Sequence, residues 1–118
     1  MHQNSDFNLY NEVIKYERYI RKYVSNEIPA VHRDLRIHLM DECYYLIRNL
    51  IEALNNKGSI RIKYINEVIV TISMLDYISN DLYELLPKRR KYIEKSYTFL
   101  VNIRNMTYAW KNKYNESK

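Results

Sequence analysis

The chain has one glycine and two prolines in 118 residues, far less of either than strands joined by tight turns require. A β-rich design is disfavoured on that ground, whereas helices need neither residue. A single cysteine, Cys43, excludes an internal disulfide, and His2, His32 and His38 hold no ligand-like spacing with it, so no metal site is expected. No apolar run reaches the roughly eighteen residues of a membrane-crossing helix, and no basic-then-apolar leader is seen at the N-terminus. The expected setting is therefore the reducing cytoplasm. There is no Ser/His/Asp set, glycine-rich phosphate loop or pair of carboxylates at catalytic spacing, so the expected protein is not an enzyme and uses no cofactor.

What the sequence does have is helical periodicity. Pro29, Gly58 and Pro87 fall about 29 residues apart and divide the chain into four segments of similar length. Leu9, Val13, Tyr16, Ile20, Tyr23 and Val24 form the first apolar stripe, spaced mainly by three and four. Leu35, Leu39, Leu46, Leu50 and Leu54 form the second, Ile62, Ile65, Val68, Ile72, Leu75, Leu82 and Leu86 the third, and Ile93, Leu100, Ile103, Thr107 and Trp110 the fourth. The β-branched stretch from Ile65 to Ile72 is strand-like in composition, but its period is helical. Prolines suit the first turn of a helix, where the missing N–H has no partner to lose, so Pro29 and Pro87 are expected to open helices 2 and 4. Gly58 reads as the C-cap of helix 2 and Ser59 as the N-cap of helix 3. The predicted helices span about residues 6–25, 30–56, 60–85 and 88–114. Short connections make sequential helices antiparallel neighbours, so the expected fold is all-α: one domain, 1–118, forming an up-down-up-down antiparallel four-helix bundle.

Charge is unevenly distributed along these segments. Formal charge sums to 0 over residues 1–29, −1 over 30–56, −1 over 57–84 and +7 over 85–118, so the net +5 is owed to the last segment. Lys88, Arg89, Arg90 and Lys91 occupy its start, where the helix dipole disfavours cations by about 0.3–1 kcal/mol each. Asp81 and Glu84 are near enough in sequence to pair with two of the four, which would leave two free. On a helical wheel Lys88, Lys91 and Lys95 share one outward face that Asn102 and Lys113 continue, a pattern suited to following a phosphate backbone. Arg104, Lys111 and Lys113 complete the candidate nucleic-acid-binding set. Lys57, Arg61 and Lys63 form a smaller basic group expected at the other end of the bundle.

Helix 4 also carries a second apolar seam. Tyr92, Phe99 and Met106 recur every seven residues beside Ile103 and Trp110, widening the apolar arc to about half the wheel where one buried face needs roughly 100°. Self-association is the simplest cover, so Tyr92, Phe99, Met106 and Trp110 are the expected oligomer interface. The thirteen tyrosines are read chiefly as packed rings with wet hydroxyls, with stacking platforms for single-stranded bases as the alternative.

Several stretches resemble a known family: Ile28-Pro29-Ala30-Val31-His32-Arg33, Leu46-Ile47-Arg48-Asn49-Leu50-Ile51-Glu52-Ala53, the helix from Arg61, and Ile103-Arg104-Asn105-Met106-Thr107-Tyr108-Ala109-Trp110-Lys111. Together, over about residues 10 to 113, they look like the Avd-like four-helix-bundle proteins, accessory proteins of diversity-generating retroelements. The resemblance implies a homopentameric barrel of bundles whose basic surface binds the element's reverse transcriptase and its RNA or DNA. Asn49-Leu50-Ile51-Glu52-Ala53 is also similar to a stretch of the related ribosomal-RNA intervening-sequence proteins, which implies a purely structural oligomeric bundle as an alternative. A third possibility comes from Arg33-Asp34-Leu35-Arg36-Ile37-His38, which fits the Arg/His pattern of the HEPN ribonucleases. There His38 would shuttle a proton at a scissile phosphate while Arg33 steadied charge.

Overall fold

A computed structural model describes residues 3–116. Among them there are four long helices and no strand: α1 (Gln3–Tyr23), α2 (Arg33–Asn55), α3 (Gly58–Leu85) and α4 (Arg90–Glu116), with short 3-10 turns at Ser25–Glu27, Ala30–His32 and Pro87–Arg89. The helices pack together, each meeting the next in sequence, and α4 also meets α1. The body measures 48 × 22 × 18 Å. None of these helices is long and apolar enough to cross a membrane.

The predicted stripes supply the core. Leu9, Val13, Tyr16 and Ile20 of α1 pack with Leu39, Leu46 and Leu50 of α2, Val68, Ile72 and Leu75 of α3, and Ile93, Leu100 and Ile103 of α4. Leu35, Leu54 and Trp110 lie half-buried at its edge, because they sit near helix ends where fewer neighbours surround them. Buried hydroxyls return their hydrogen bonds to their own helices: Thr71 Oγ1 donates to the Glu67 carbonyl at 2.8 Å, Ser96 Oγ to Ile93 at 2.6 Å, and Thr107 Oγ1 to Ile103 at 2.7 Å. That satisfies each group locally, so the interior takes them without a cross-helix partner.

Helix boundaries depart from the expectation, and always at a cap. Pro29 does not open α2: its ψ of 154° holds it extended, and it precedes the 3-10 turn of Ala30–His32. Pro87 likewise opens a 3-10 turn, and α4 begins three residues later. Gly58 is not the C-cap of α2, a place that Asn56 takes, but stands at the head of α3, with φ +65°. A side chain there would meet strain even though nothing crowds the position. Ser59 consequently lies inside the first turn of α3 and caps nothing. The last carbonyls of α2 are satisfied by side chains instead. Asn55 Nδ2 donates to Ile51 O at 3.0 Å, Asn56 Nδ2 to Glu52 O at 2.7 Å, and Arg61 to Ala53 O at 2.9 Å and Leu54 O at 3.3 Å.

Arg61 also stacks over Trp110 and Tyr114, each 5.5 Å away, so one guanidinium ties the end of α2 to α3 and α4. A cation at a helix C-terminus is favoured by the dipole, and hydrogen bonds to a charged donor are the stronger kind. Arg61→Ala should lower stability by about 2 kcal/mol, read from urea unfolding, with Arg61→Lys falling between. An unchanged unfolding midpoint in Arg61→Ala would deny it that role.

Two buried acids make the fold sensitive to alkali. Burial pushes the Cys43 thiol well above its usual 9.0, with Glu17 adding to the effect, and burial raises the Tyr16 hydroxyl above 10.0, with Cys43 adding. The Tyr16 hydroxyl faces Ser79 without a hydrogen bond of good geometry. In the unfolded chain both groups lose protons near their ordinary values while the folded chain keeps them. Stability is therefore fully present below about pH 9 and falls as pH rises beyond it. Cys43 should stay unreactive to a thiol reagent in neutral buffer and react fully in denaturant. Rapid labelling of the folded protein would contradict its burial.

Candidate nucleic-acid interface

The α3 to α4 turn places four cations at one end of the bundle, and the fold uses them unequally. Arg90 Nε donates to the Tyr83 carbonyl at 2.8 Å and its guanidinium lies 4.8 Å from the Tyr83 ring. It thus caps α3 as Arg61 caps α2. The negative end of α3 sits against the start of α4, which is why cations are tolerated where the α4 dipole alone would oppose them. Arg89 pairs with Glu27 at 3.3 Å and lies 4.4 Å over the Tyr92 ring. Its Nε is buried without a hydrogen-bond partner. The expected partners Asp81 and Glu84 make no ion pair with the cluster among the described residues; Glu27 takes that place.

Lys88, Lys91 and Lys95 remain, and all three are exposed. They are the residues the helical wheel put on one outward face. Lys95 passes 5.6 Å from the Tyr19 ring of α1, so the face extends toward α1. Beneath it runs an aromatic ladder. Tyr23 stacks on Tyr92 at 5.5 Å and 6°, Tyr19 Oη donates to the Tyr92 carbonyl at 2.8 Å, and Phe99 lies 5.3 Å from Tyr19 and 6.4 Å from Tyr16. Burial raises the Tyr19 hydroxyl, Tyr23 and Tyr92 add to that, and Arg89 opposes it. These rings pack mainly on one another and tie the first turn of α4 to α1. The pair Arg89–Glu27 also draws the connection between α1 and α2 to this end. Lys22, Arg33 and Arg36 add three exposed cations there, and segment sums did not reveal them because they lie on other helices.

The remaining candidates do not join this group. Arg104 is ion-paired with Asp76 of α3 and half-buried. Lys111 and Lys113 stand about 30 Å along α4 from Lys91, at the end where the Gly58 N–H donates to the Tyr114 hydroxyl. There they join Lys57, Arg61 and Lys63. The eight residues are thus an open basic end, a buried-edge ion pair and a second, smaller basic end.

The four residues of the expected oligomer seam, Tyr92, Phe99, Met106 and Trp110, are half-buried and packed against the core. α4 lies between α1 and α3 and has a neighbour on each flank, so its wide apolar arc is largely met within the chain. Arg33 and His38 are both exposed on α2, and five helical positions turn them about 140° apart, so the helix does not bring them to one face. Among the described residues no group of three or more His, Cys, Asp or Glu is placed to hold a metal ion. In comparisons with family models, curated proteins and solved structures, nothing matches the chain.

Proposed function

We propose that the chain is a non-catalytic, cytoplasmic nucleic-acid-binding accessory protein whose working surface is the basic end formed by Lys88, Lys91 and Lys95. One observation carries the reading. Where a cation serves the fold, at Arg89, Arg90, Arg61 and Arg104, it is an arginine with a defined partner, whereas Lys88, Lys91 and Lys95 at the same end as Arg89 and Arg90 are exposed. Exposed lysines suit phosphates, which need point charges and no fixed fork. The short connections and the contact of α4 with both α1 and α3 support the up-down-up-down antiparallel arrangement, which brings the start of α4 beside the ends of α1 and α3. The likeness to Avd-like proteins supports RNA or DNA as ligand and a reverse transcriptase as protein partner.

Filter binding of unrelated RNA and DNA oligonucleotides across a salt series tests it. Three or more phosphate contacts give a fall in log affinity of about 0.7–0.9 per contact against log salt, with little preference among sequences. Absence of binding at low salt, or an affinity indifferent to salt, would remove the proposal.

A further inference from the structure

α2 carries two apolar stripes, and the bundle buries only one. Leu39, Cys43, Leu46, Leu50 and Ala53 face the core with no exposed surface. The second stripe is Ile37, Met40, Tyr44, Ile47, Ile51 and Leu54, spaced three-four-three-four-three, the spacing of a coiled-coil seam. Met40, Ile47 and Leu54 are half-buried against the edge of the core, while Ile37, Tyr44 and Ile51 are 48%, 52% and 40% exposed. The stripe is about 26 Å long. α1 flanks it with half-buried Tyr10 and Ile14, and Arg21 of α1 donates to the Tyr44 hydroxyl at 3.2 Å. The groove at its N-terminal end is lined by Arg33, Arg36, Ile37, Met40 and Asp41.

We infer that a second copy of this chain docks here, α2 against α2 and antiparallel, about a two-fold axis between Tyr44 and Ile47. In that register Ile37 lies across from Leu54 of the second copy, Met40 from its Ile51 and Tyr44 from its Ile47, so the stripe meets itself with every apolar position matched. The flanking charges match as well. Asp41 and Arg48, both exposed, lie along the same outer flank of the stripe. The two-fold brings Asp41 of each copy about 3 Å off the level of Arg48 of the other, a step that an arginine side chain spans, so two identical ion pairs close the interface. A parallel pairing is disfavoured by Arg33, which continues the stripe one turn before Ile37 and would face its own counterpart. The interface lies on α2 and its test contains no nucleic acid, so it stands or fails apart from the proposed function.

Light scattering after gel filtration of the whole chain at high micromolar concentration should give twice the 14.5 kDa chain mass. Tyr44→Glu and Ile51→Glu, at positions exposed in the single bundle, should return that mass to 14.5 kDa with helical circular dichroism and melting retained. Asp41→Arg and Arg48→Asp should each weaken self-association at least about tenfold. Mixed one to one, they should pair, because each then supplies the charge that the other needs in both ion pairs. A wild-type mass of one chain, or of any multiple other than two, overturns the inference. So does a dimer that all four substitutions leave intact, or a mixture of the two charge variants that fails to pair.

Discussion

Replacing Lys88, Lys91 and Lys95 together with Gln is expected to weaken nucleic-acid binding on the order of 100-fold at about 0.1 M salt, and to reduce the salt slope by roughly two to three. Each phosphate contact contributes through the counterion it releases, so the loss should be similar for unrelated sequences. The fold should be unaffected within about 0.5 kcal/mol, since all three side chains are exposed. Lys111→Gln with Lys113→Gln serves as the comparison: these lie at the far end of α4 and should change affinity much less. Equal losses from both sets would mean that charge is felt as a total and not at a site.

The second large effect is on stability. Leu46→Ala should cost about 3 kcal/mol and lower the melting temperature by roughly 10 °C. Leu46 has no exposed surface, and it sits midway along the inward stripe of α2, where α3 packs closely and leaves little room for collapse around a cavity. Tyr45→Ala, one position along and 51% exposed, should change stability by no more than about 0.5 kcal/mol. Thermal unfolding followed by circular dichroism compares them. Equal costs for the two would mean that α2 is rotated from the orientation described.

The contrast between those neighbours shows what the sequence makes legible. Spacing by three and four is visible without a structure because it reflects only the pitch of a helix, and it located Leu39, Leu46, Ile72 and Leu100 correctly. It also puts Lys88, Lys91 and Lys95 on one outward face; all three are exposed, and Lys88 stands in the 3-10 turn ahead of α4. Caps are different. The α2 terminus is closed by Arg61 from the next helix and α3 by Arg90, so no local rule for glycine or serine could find it. The Arg89–Glu27 pair joins residues about 60 positions apart, which hid the use of that arginine and the recruitment of Lys22, Arg33 and Arg36 to the same end. The α4 seam was read as too wide for one neighbour because a lone segment does not reveal that α1 and α3 flank it on both sides. On α2 the reverse holds: both stripes are present in the spacing, and only packing decides which one turns inward.

Lysine footprinting with an acetylating reagent, in the presence and absence of an RNA oligonucleotide and read by mass spectrometry, tests the working surface most directly. The account predicts that Lys88, Lys91 and Lys95 become protected when RNA is bound, and that Lys57, Lys63, Lys111 and Lys113 at the other end are modified as before. Protection confined to that other end, or no change at any lysine under conditions where RNA is bound, would contradict it.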